Sequence, residues 1–182
     1  MEPRPVDELP LLDPTADWTG LAAGIGELGT LLARDADVLL ERRPDVSGWS
    51  AAEHAFHVTL ADELCLKNVH SLLAGKGMLV RPLENRLPEA LELLRRDSFP
   101  RGEAEAPRFV RPPKRIDLAF LGELLEGVRG LHAELEPHLA SLPDTPLGVP
   151  HQVLGDLDAC EWLRFAHVHT RHHVAIAGDV LA

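Results

Sequence analysis

The sequence predicts an all-α fold, an up-down four-helix bundle with one long crossover and a short extra helix. Three observations carry that expectation. Fifteen prolines leave four long Pro-free windows, residues 15–43, 45–81, 114–136 and 151–182, and proline breaks helix interiors by removing a donor. Within these windows apolar residues recur at three- and four-residue steps, the period of an amphipathic helix. Strand-like alternation is nearly absent. With 182 residues and 45% apolar side chains, the chain is long enough to bury a substantial core, and residues 1–182 are read as a single domain.

The first helix is expected to carry Trp18, Leu21, Ile25, Leu28, Leu32, Ala36 and Leu39 on one stripe. After the short turn RRPDVSGW, Ser50 lies three residues before Glu53, a capping-box signature that opens a second helix. That helix carries His57, Leu60 and Leu64 and should fade near Gly75 and Gly77. A shorter piece, PEALELLRRDSF, has Pro88 at a plausible first helical position. The stretch from Phe99 to Pro113 is rich in proline and charge and reads as the long crossover loop. A further helix is expected from near Asp117 to Leu142, interrupted or kinked at Pro137. In the last window Asp158 can cap with Glu161, after which Trp162, Ala166, His169, His173, Ile176 and Val180 fall on one stripe.

Charge and composition exclude several functions. A formal charge of −11 argues against a nucleic-acid role, because phosphate binding needs a basic surface. The opening MEPRPVDELPLLDP lacks the apolar core of a signal peptide, and no stretch supplies a membrane span. A cytoplasmic protein is the expectation. Cys65 and Cys160 form no CxxC pair, so neither a disulfide framework nor a thiolate zinc site is indicated. No G-x-S-x-G elbow or glycine-rich phosphate loop is present.

The histidines carry the chemistry. His169 and His173 are four residues apart on the stripe of the last helix and so project from one face, while the second helix can supply His57. Imidazoles on a core stripe are costly unless both ring nitrogens are satisfied, and a metal ion is one partner that satisfies them. Three neutral imidazoles around a divalent ion leave a coordination position open, as catalytic sites do. The competing reading is ordinary interior or interface histidines bonded to carbonyls and carboxylates, which ten histidines in the chain make easier. His54 lies one turn before His57 and competes for the role of ligand; a place beside the ligands or elsewhere in the bundle suits it better. His167 and His172 are rotated off the His169 and His173 face, toward solvent or a subunit contact. Glu53 is a candidate catalytic base or orienting partner for His57, with the capping role as its alternative. From Arg95 to Arg115 seven basic residues face three acidic ones, a segment that could hold a substrate carboxylate but is more simply a solvated loop.

The segment GWSAAEHAFH, with Trp49 eight residues before His57, and the C-terminal HTRHHVAIAGDVL resemble the DinB/YfiT-like superfamily of metal-binding four-helix bundles. The intervening HQVLGDLDACEWLRF resembles the loop and opening of that family's last helix. The resemblance implies that the metal ligands are His57, His169 and His173. One departure concerns the third residue after the second histidine of the pair, often Gln in the family and Ile176 here. The resemblance further implies a thiol-dependent S-transferase or isomerase, with a divalent ion activating a thiolate or water. The alternatives are a metal-dependent hydrolase and a non-catalytic, stress-related binding bundle. Three imidazoles suit zinc, nickel, iron or copper; a divalent zinc or nickel ion is the first expectation, with iron or manganese as the alternatives. The implied partners are a small-molecule substrate, a low-molecular-weight thiol and a second copy in a homodimer.

Overall fold

Capping side chains decide where the helices begin. The computed structural model describes residues 12–96, 99–102, 105–144 and 146–182. Helix α1, Pro14–Leu32, starts where Asp13 accepts hydrogen bonds from the Thr15 and Ala16 backbone N–H groups and Pro14 takes the first turn. The predicted first stripe does not run unbroken to Leu39. The chain leaves the helix after Leu32, Asp35 is extended, and a short helix α2, Ala36–Leu40, restarts to bury Leu39.

Helix α3, Ala51–Ala74, opens on the expected box: Ser50 Oγ accepts from Glu53 N at 3.2 Å, and Glu53 Oε2 accepts from Ser50 N at 2.8 Å. It closes at Gly75, whose φ of 61° is the left-handed cap that glycine adopts without strain. Its core face is Ala55, Val58, Cys65, Leu66, Val69 and Leu72, whereas Leu60 and Leu64 are only half-buried. Helix α4, Pro88–Leu94, has Pro88 in its first turn, as the sequence predicts. The crossover then runs on with a short 3-10 turn at Arg108–Val110; Asp97 and Glu103 lie outside the described residues, as does the segment 1–11.

Helix α5, Leu118–Ala133, is capped by Asp117 and passes into a 3-10 helix over Glu136–Asp144 instead of continuing through Pro137. Helix α6, Ala159–Val180, carries a second complete capping box from Asp158 and Glu161. An unexpected feature is a small antiparallel sheet, in which β1 (Arg81–Pro82), just after α3, pairs with β2 (Leu147–His151), and β2 pairs in turn with β3 (Gly155–Leu157), the last two lying between α5 and α6. Fully buried Asp156 pins it, accepting from Arg81 Nε at 3.1 Å and Asn85 N at 3.1 Å.

In the bundle α3 packs along α6 and α5, and α1 along both of the same partners. Leu21, Leu28, Leu66, Leu121 and Leu163 are fully buried at its centre, each contributing about 1.5–3 kcal/mol. Two polar ties fix α1. Trp18 Nε1–H donates to the His132 carbonyl at 3.1 Å while His132 Nε2–H donates to the Trp18 carbonyl at 2.8 Å, with the two rings stacked. Buried Asp17 accepts from Arg164 at 2.9 Å and from His167 Nδ1 at 2.9 Å. His167 therefore does not face solvent or a subunit; its ring lies over Gly20, the one position on α1 where only a missing Cβ leaves it room. Both cysteines are buried free thiols, as their isolation in the sequence implies. Among the described residues, no helix is long and apolar enough to cross a membrane.

Candidate metal centre

The close packing of α3 against α6 brings the three expected histidines together. One ring nitrogen from each of His57, His169 and His173 lies within 4.8 Å of the other two. Their ring centroids are 4.6 to 5.1 Å apart, and the planes meet at 65° to 76°, so the rings converge edgewise instead of stacking. His57 Nε2 and His169 Nε2 stand 3.3 Å apart.

Hydrogen bonds decide which nitrogens are bare. His57 Nδ1 lies 2.9 Å from the Val110 carbonyl, an acceptor only, so Nδ1 carries the proton and Nε2 keeps its lone pair. The crossover thus reaches back over α3 to orient a ring through a backbone atom. Among the described residues, His169 Nδ1 is buried with no hydrogen-bond partner, while its Nε2 faces that of His57. Such an orphaned nitrogen costs about 1–3 kcal/mol.

Burial keeps the rings neutral. It pushes the His169 and His173 pKa values well down, neighbouring imidazoles adding to the effect, and it lowers that of His57 against the opposing bond to Val110. His54 is pushed down to about 4 by the same desolvation. Neutral imidazoles are the form that binds metal, and among the described residues the converging group is made of histidines alone. The donor set fits a divalent ion.

Aromatic rings wall the cluster. Trp49 stands 5.0 Å from His57 and 6.3 Å from His173, Phe165 is stacked on His169 at 5.0 Å, and Phe99 of the crossover lies 6.5 Å from His169. Phe165 was open to sequence reading, since it sits four residues before His169 on the same face. The Val110 carbonyl has no sequence signal.

The other candidates fall into place around this centre. His54 touches His173, its Nδ1 lying 3.0 Å from His173 Nδ1, and His54 Nε2 lies 2.8 Å from Ser47 Oγ. His172 is half-buried beside His173, with its ring 6.4 Å from Phe99, and so flanks the cluster instead of facing away. Glu53 is turned elsewhere: besides the cap, it accepts from Arg42 Nε at 2.8 Å and is paired through its other oxygen with Arg42 Nη2. Those bonds hold its carboxyl below the usual range despite burial, the state of an ion-paired cap. Cys65 is a core residue whose thiol burial pushes well up. In the basic segment, Arg101 pairs with Asp179 at 2.7 Å and Arg111 with Glu105 at 3.0 Å, the pattern of a solvated loop.

Comparison with known proteins agrees with this architecture. Among curated proteins, none matches the sequence. The crystal structure of TT2238, a four-helix bundle protein, superposes with a TM-score of 0.59 at 19% identity, covering 91% of this chain and 98% of that one. The family profile of the DinB superfamily matches residues 25–177, a span that holds all three converging histidines and both capping boxes. A helical bundle with its imidazoles drawn inward, matched over most of its length by that profile, belongs to the DinB superfamily.

Proposed function

We propose that His57, His169 and His173 hold one divalent ion, zinc or nickel first, in an enzyme that joins a low-molecular-weight thiol to an electrophilic small molecule. The observation that carries this reading is the convergence of three neutral ring nitrogens within 4.8 Å, to which the described residues add no fourth ligand. When bound, a divalent ion there lowers the pKa of a thiol or water that joins it and so supplies a nucleophile near neutral pH.

The chain's own residues supply the rest. Val110 holds the His57 ring by its Nδ1–H and presents Nε2 inward. Phe165, stacked on His169, limits that ring's rotation. Trp49 and Phe99 cover the cluster from α3's approach and from the crossover, which keeps water from the imidazoles and gives an apolar substrate surface to rest on. A cytoplasmic location, where such thiols are kept reduced, and a homodimer belong to the same proposal.

Protein purified without a histidine tag should carry close to one equivalent of metal, or gain thermal stability on adding zinc or nickel. Less than a tenth of an equivalent with no thermal shift would favour a non-catalytic binding bundle. Thiol consumption with an electrophile should then be lost in His169→Ala; equal rates in mutant and wild type would remove the cluster from catalysis. Ester or amide turnover without added thiol would point to a hydrolase instead.

A further inference from the structure

The contact between His54 and His173 is a nitrogen-to-nitrogen pair, and beyond it stands a serine hydroxyl that can donate or accept. The two Nδ1 atoms are 3.0 Å apart, so one carries a proton and the other accepts it. At the far side of His54, Nε2 lies 2.8 Å from Ser47 Oγ, which also accepts from the Trp49 backbone N–H at 3.2 Å. If His54 carries its proton on Nε2, it donates to Ser47 and presents a bare Nδ1 to His173. His173 then donates Nδ1–H and keeps its Nε2 lone pair. In the opposite arrangement His54 donates to His173, the proton of His173 moves to Nε2, and that ring loses the lone pair it needs to join its neighbours.

We infer that the chain Ser47–His54–His173 is a positioning relay in which His54 sets the tautomer and angle of His173, and that His54 is not itself a ligand. His57 has the same arrangement built from different parts: a backbone carbonyl takes its Nδ1–H, and Nε2 is free. With His54 accepting, both His57 and His173 are held through Nδ1 by an acceptor and keep Nε2 bare, the arrangement that orients ligating histidines in metal sites. Geometry separates His54 from the ligand role. Its Nδ1 is occupied by His173, its Nε2 by Ser47, and it is not among the residues whose nitrogens converge. Ser47 comes from the turn before α3, so the relay also ties that turn, and Trp49 with it, to α6.

This inference rests on the three-histidine metal reading for its purpose, but its test does not need metal. Long-range nitrogen–proton NMR on histidine-labelled, metal-free protein at pH 7.5 reports the tautomer of each ring. The expected result is His173 protonated at Nδ1 and bare at Nε2, with His54 protonated at Nε2. In His54→Ala, His173 should move toward the Nε2-protonated form, and His54→Asn, whose side-chain oxygen can accept in place of Nδ1, should restore it. An Nε2-protonated His173 in the wild type, or an unchanged tautomer in His54→Ala, would overturn the inference. In a second measurement zinc titration of His54→Ala should show affinity weaker by roughly tenfold to a hundredfold with the three-imidazole shell retained. Absorption spectroscopy showing four imidazoles in the wild type would make His54 a ligand and overturn it equally. Absence of zinc binding in the wild type would instead defeat the metal reading, while the tautomers still decide the relay.

Discussion

Thr170→Val should cost the protein about 1–3 kcal/mol, the penalty for leaving a buried polar group without its partner. Thr170 and Asp62 are both fully buried between α6 and α3, close by the histidine cluster in sequence. The Thr170 hydroxyl lies 2.8 and 2.7 Å from the two Asp62 oxygens, and its one proton serves one of them at a time. Valine matches threonine in shape, so packing survives; Gly24, where a Cβ would stand 2.8 Å from the threonine methyl, already leaves the room that methyl needs. What is lost is the donor. For a chain of this length, such a loss lowers the melting temperature by roughly 2–12 °C. Replacing both partners, Asp62→Leu with Thr170→Val, should recover most of it, because no buried polar group is then stranded.

Burial also raises the Asp62 pKa well above the usual carboxyl value, with the Thr170 bond opposing. The unfolded carboxyl ionises near pH 3.9, about the model-peptide value, while the folded one keeps its proton. Its stabilising contribution is therefore complete below that pH and declines by about 1.4 kcal/mol per pH unit until the folded carboxyl ionises. Asp62→Asn should remove that decline. Urea denaturation followed by circular dichroism, for wild type and these variants from pH 5 to 9, measures both effects. A Thr170→Val midpoint equal to wild type, or a double variant as damaged as the sum of its singles, would refute the reasoning.

The buried histidines should act in the opposite sense. Burial depresses the folded pKa values of His54, His57, His169 and His173, that of His54 to about 4. The stability they contribute is present above the unfolded histidine pKa of about 6.5 and falls as pH drops toward the folded values, by about 1.4 kcal/mol per pH unit for each ring. Denaturation midpoints at pH 7, 5.5 and 4.5 should fall steeply, and a flat profile would contradict the burial of these rings. Two glycines of α1 should respond in opposite ways. A Cβ at Gly20 would stand 2.2 Å from His167 Nε2, whereas one at Gly26 would meet nothing within 4 Å. Gly20→Ala should destabilise by about 1–3 kcal/mol and Gly26→Ala stabilise by about 0.4–1 kcal/mol, both measurable by thermal melts; equal effects would show that His167 does not sit over α1.

Local chemistry was the legible part of this chain. Ser50 with Glu53, Asp158 with Glu161 and Pro88 announce helix starts because each acts on backbone groups only a few residues away. The His169 and His173 spacing fixes a shared face for the same reason. Features made by distant partners were not legible. The sheet escaped because its strands are two to five residues long, include Pro82 and Pro150, and depend on Asp156 reaching Arg81 across the fold. The break before α2 escaped because Leu32, Ala36 and Leu39 keep a helical step across it. Rotation about α6 put His167 off the cluster face correctly, but nothing local shows that Asp17 awaits it there. Glu53 had two readings one turn from His57; Arg42, at the start of the preceding turn, decides for the cap. The anchoring of His57 by a loop carbonyl depends on where the crossover lands, which no side-chain pattern encodes.

X-ray absorption spectroscopy on zinc-loaded protein, compared among wild type, His57→Ala, His169→Ala and His173→Ala, bears most directly on the centre proposed here. The account predicts one ion with three imidazole nitrogens at about 2.0–2.1 Å, and one imidazole fewer, or no bound ion, in each variant. A wild-type protein that binds no ion, or three variants that keep the full shell, would contradict it.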